Sequence, residues 1–87
     1  MFDYPKLTEE KSERLKQLIR QRVRVRIENS YAPLVVIYVA NDVFALQGSE
    51  AAELIIAADI LEETYELYRC DALLLAAAPY VEDYLSS

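Results

Sequence analysis

Eighty-seven residues leave room for one small domain, 1–87, and a chain of this length buries only about 60 to 65% of its unfolded surface on folding. With no histidine and a single cysteine, Cys70, it lacks the commonest general base, Ser-His and Cys-His nucleophile pairs and any thiolate zinc site, and one glycine excludes a glycine-rich phosphate cradle. No enzyme, resident metal or cofactor is expected, and the net charge of −6 opposes nucleic acid at long range.

The charge is unevenly distributed. Residues 1–30 carry a balance of +3, and the remaining residues carry −9, with Arg69 their only basic side chain. Complementary regions of this kind steer encounters between molecules and penalise wrong pairings.

The opening residues, Met1 to Lys6, have no basic stretch followed by an apolar core, which points away from export. The longest uncharged apolar runs, Ala32 to Ala40 and Ala72 to Val81, are half of the roughly 20 residues a spanning helix needs. A cytoplasmic protein with no membrane contact is expected, in keeping with a cysteine that has no internal partner.

A first helix is predicted from Thr8, a good N-cap, with Glu9 and Glu10 in the first turn where carboxylates favour the positive end. Leu15, Leu18 and Ile19 repeat at helical spacing, and the helix ends near Arg20. From Arg22 the period becomes two, with Arg22, Arg24 and Arg26 alternating with Val23, Val25 and Ile27, as in a half-buried strand. Asn29 to Pro33 supplies turn residues. Leu34 to Ala40 is a β-branched run suited to a strand covered on both sides, and Asn41-Asp42 reverses the chain into a third strand, Val43 to Gln47.

Gly48 marks a boundary, with Ser49 as N-cap of the next helix. Ala51, Leu54, Ala58, Leu61, Tyr65 and Tyr68 follow a 3,4 spacing there, while Ile55, Ile56, Ile60 and Leu67 add apolar surface beyond that stripe. Asp71 caps a last helix from Ala72, which Pro79 kinks or divides. The pattern predicts an α+β fold: a short N-terminal helix, a three-stranded antiparallel meander and two C-terminal helices packed on it. The rival is an all-α helical bundle in which Pro33 starts a helix and Phe44 and Gln47 extend the later helical spacing backwards.

Val36 to Ala52 resembles the strand, turn, strand, glycine, helix ending of KH-like modules. The GXXG loop that clamps a nucleic-acid backbone in that family is missing, since Gly48 is the only glycine, and no function or site residue is carried over. Asp59, Glu62, Glu63 and Glu66 gather on one helix but have no shaping loop of the kind an oxygen-ligand cage uses, so they read as a solvated face.

A small chain without disulfides or metal ligands is left with association as its means of added stability. The expected role is a non-enzymatic interaction or assembly protein, a homo-oligomer or a binder of another protein, with Leu54, Leu61, Tyr65 and Tyr68 of the C-terminal helices as its interface. The alternative is a nucleic-acid-associated domain that tracks phosphates with Arg20, Arg22, Arg24 and Arg26.

Overall fold

One helix, three consecutive strands and two further helices follow one another along residues 4–87, the part of the chain described by the computed structural model. The order is α1 (Glu9–Arg20), β1 (Val23–Asn29), β2 (Leu34–Val39), β3 (Asp42–Gln47), α2 (Gly48–Tyr65) and α3 (Arg69–Ser86). The fold is α+β, and the segment that an all-helical chain would wind into a helix is the central strand. The reading of Met1 to Asp3 as free of an export pattern lies outside the described residues.

α1 starts as its sequence dictates. Thr8 is extended, its hydroxyl accepts the Lys11 N–H at 3.2 Å, and Glu9 and Glu10 occupy the first turn. Leu15 and Leu18 are buried, and the chain leaves the helix through Arg22, whose φ of 57° lies in the left-handed region. Three strands then form an antiparallel meander in the order β1-β2-β3. The Asn29 side chain holds the first turn by accepting the N–H groups of Tyr31 at 2.8 Å and Ala32 at 3.2 Å. The second reversal is a two-residue loop of Ala40 and Asn41 between the paired Val39 and Asp42, one residue earlier than predicted, with φ 55° at Ala40.

α2 begins at Gly48 with Gln47 in the cap position, so Ser49 lies inside the helix rather than capping it. It stops before Tyr68: Glu66 takes φ 54°, and the Leu67 N–H reaches back to the Glu62 carbonyl at 3.1 Å, a closure typical of a left-handed C-terminal residue. α3 starts at Arg69, three residues before the predicted start, because extended Tyr68 is its cap. Asp71 is therefore in the first turn, 8% exposed, and accepts a hydrogen bond from the Tyr4 hydroxyl. Pro79 is contained within α3, which runs through to Ser86 without dividing.

All three helices pack against one face of the sheet, with α3 lying between α1 and α2. That position explains why Asp71 to Ala78 are buried without a break: a helix with neighbours on several sides has no polar face to offer. Its Leu73, Leu74 and Leu75 share one core with Leu15, Val35, Ile37, Leu54 and Val81. Phe44 of β3 stacks on Tyr84 of α3 with ring centroids 4.5 Å apart, extending this core to the sheet margin.

Candidate interaction surfaces

Antiparallel pairing places alternate residues on opposite faces of the sheet. Val23, Val35, Ile37, Val39 and Leu46 are buried beneath the helices. Among the described residues no element lies over the other face. Its rows, set by the register, are Arg24, Tyr38 and Val43, then Arg26, Val36 and Ala45, with Leu34 beside Gln47 at one end. Leu34, Val36 and Tyr38 are half-buried by their neighbours alone, and Val43 is 55% exposed. β2 is thus apolar on both faces, as its sequence suggested, but the described residues of this chain cover only one of them.

The four predicted arginines do not form a single row. Arg20 ends α1 and Arg22 occupies the left-handed corner, leaving Arg24 and Arg26 on the outer sheet face. The Arg24 guanidinium lies 4.8 Å from the Tyr38 ring centroid, a cation–π contact, and Arg26 Nε is 3.4 Å from Glu28 on its own strand. Among the described residues no carboxylate lies within ion-pair distance of Arg20, Arg22 or Arg24. The acidic helices draw on other cations: Lys6 pairs with Glu66, Arg14 with Glu82, and Arg69 with Asp59 and Glu62. Of the carboxylates gathered near the end of α2, Asp59, Glu62 and Glu66 are thereby taken up in ion pairs, and among the described residues no group of three or more side chains is arranged to hold a metal.

The predicted helical interface is dispersed. Leu54 is 1% exposed within this chain's own core. Leu61 is half-buried in a groove of about 220 Å³ between α1 and α3, lined also by Lys11, Arg14, Leu75 and Pro79. Tyr65 is half-buried with Lys11 Nζ 5.9 Å from its ring centroid. Only Tyr68, 76% exposed, is open, and its ring meets Tyr4 edge-on with centroids 6.1 Å apart. The apolar residues that α2 does present outward are Ile56 and Ile60, each 57% exposed and one turn apart. Glu53, Asp59 and Glu63 are exposed on the same side. The sequence signal for this pair was its position beyond the 3,4 stripe.

Two tyrosines titrate late. Burial, followed by the hydrogen bond donated to Asp71, pushes the Tyr4 hydroxyl up from 10.0 to about 12. Burial also raises Tyr80, helped by the nearby Glu53 and Glu50 carboxylates. Among the described residues no helix is long and apolar enough to cross a membrane. No protein-family model matches the chain, and no curated protein or solved structure matches it either.

Proposed function

We propose that this chain is a non-enzymatic, self-associating interaction protein whose docking surface is the outer face of the sheet. One observation carries the reading: β2 is apolar on both faces, and the helices cover only one. A solvated sheet face ordinarily alternates to polar residues, whereas a run such as Leu34 to Val39 belongs to a strand covered on both sides. Arg24 and Arg26 border the apolar rows and supply the polar rim that an interface centre of this kind uses. The same reading assigns the protein to the cytoplasm and gives it a protein partner rather than a membrane.

Mass in solution across a dilution series tests it. Wild type should assemble at micromolar to high-micromolar concentration, and Val43→Glu with Ala45→Glu, both exposed positions on an edge strand, should yield a folded monomer. A wild-type chain that stays monomeric throughout, or a double variant that assembles as wild type does, overturns the proposal.

A second reading rests on the contact between Arg24 and Tyr38 on the same face, since a guanidinium and an aromatic ring side by side also suit an unstacked base and its phosphate. Charge reversal at Arg20, Arg22, Arg24 and Arg26 tests this. Binding to single-stranded RNA or DNA that collapses on reversal supports it, and unchanged weak binding removes it.

A further inference from the structure

We infer that the occupant of the sheet face is the outward face of α2 from a second copy of this chain, so that molecules associate head to tail. The inference rests on the sheet-face reading above and adds the identity of what docks there. Three features of the molecule converge on it.

The first is chemical type. A strand apolar on both faces is the mark of a sheet with helices on both sides, and α3 already supplies one side within the chain. A helix from outside would complete that arrangement. The second is the matching surface. Ile56 and Ile60 are about 6 Å apart along the helix axis, and Val36 and Tyr38 are about 6.7 Å apart along the strand, so two isoleucines can seat on successive outward residues of β2. The third is charge. α2 contains Glu50, Glu53, Asp59, Glu62 and Glu63 and no lysine or arginine, and of these only Asp59 and Glu62 are engaged by Arg69. Glu53 and Glu63 flank the isoleucines, and Arg24 and Arg26 flank the apolar rows of the sheet.

Like-with-like arrangements lack this complementarity. Two sheet faces would enclose four arginines, Arg24 and Arg26 from each copy, with one nearby Glu28 apiece. Two α2 faces would oppose carboxylate to carboxylate. Placing the helix of one copy on the sheet of the next satisfies both surfaces and leaves each end of the pair with a free face of the other kind. Growth then continues until a ring closes or a filament forms.

The deciding experiment uses two surface variants and their mixture. The first, Val43→Glu with Ala45→Glu, blocks the sheet; Arg24→Glu with Arg26→Glu is a second sheet variant should the first lose its fold by circular dichroism. The second, Ile56→Gln with Ile60→Gln, blocks the helix and keeps good helix formers. Each alone should be monomeric, its self-association weakened at least a hundredfold. Their equimolar mixture should form a 1:1 heterodimer and nothing larger, because only one intact sheet and one intact helix remain to meet. If the helix variant assembles as wild type does while the sheet variants do not, the inference fails and the sheet-face reading stands. If the sheet and helix variants all assemble as wild type does, both fail.

Discussion

β2 carries Val35, Ile37 and Val39 on one face and Leu34, Val36 and Tyr38 on the other, two sets of nearly equal apolar character. The first set lies under α3 and its neighbours at 0 to 6% exposure, and the second is shielded only by the strands beside it. Side-chain type therefore does not distinguish these two faces; the supply of helices does. The described residues form three helices, and all three are used on one side of the sheet. The inner face accordingly contributes to the stability of the fold, and on the proposed reading the outer face would contribute once a second molecule docks on it.

Substitutions that separate the two faces test this most directly. Ile37→Ala empties a fully buried site and is expected to cost about 2–5 kcal/mol, whereas Val36→Ala, next to it on the outer face, should cost under about 1 kcal/mol in the monomer. Urea denaturation of dilute protein measures both, and equal losses would break the contrast.

The helical side has a polar anchor that the open side lacks. Tyr4→Phe removes the hydroxyl donated to Asp71 and leaves that buried carboxylate, among the described residues, with only the weak Cys70 thiol at 3.8 Å, for a loss of about 1–3 kcal/mol. The same hydroxyl has a pH signature. Its folded value of about 12 lies above the unfolded 10.0, so its contribution is fully present below pH 10 and is lost as pH rises through 12. Denaturation midpoints of wild type should fall more steeply across that window than those of Tyr4→Phe. Parallel curves would show that the anchor is not linked to folding.

Smaller effects belong to the element ends. Thr8→Ala removes the cap of α1 and should cost about 1 kcal/mol, measured as a drop in thermal midpoint. Ala40→Gly relieves a positive φ in the exposed loop joining β2 to β3 and should stabilise by about 0.5–1 kcal/mol. A destabilised glycine variant would mean that this loop is held by contacts rather than by its backbone preference.

These element ends also show what could be read from the sequence. α1, β1 and the central run of β2 were legible because their signals are local: a capping threonine, a change of period from 3.6 to two at Arg22, and a block of β-branched residues. The starts of α2 and α3 were not, because Gln47 and Tyr68 occupy the cap positions without a side-chain hydrogen bond. The end of α2 was hidden for a related reason, since Glu66 adopts a left-handed conformation that its residue type does not announce. At the candidate surface the 3,4 stripe lies on α2 as far as Tyr65, with Tyr68 beyond the helix as the cap of α3, and periodicity does not say whether a stripe meets the chain's own core or another molecule. Leu54 is the clearest case, assigned to an interface and found fully enclosed. Conversely, Ile56 and Ile60 stood off the stripe, and only the packing of α3 against the opposite side of α2 makes that position outward.

The placement of α3 also governs the order in which this molecule can be completed during synthesis. Every element that α3 touches precedes it in the chain, so α1, the meander and α2 leave the ribosome with their inner apolar surfaces unmatched. Until Arg69 to Ser86 emerge, only α1 and α2 lie against the inner face of the sheet, and the apolar surface that α3 covers stays open to other chains. A nascent chain arrested before Arg69 is thus more prone to aggregate than one that includes α3, and α3 is the element that joins the earlier ones into a single core.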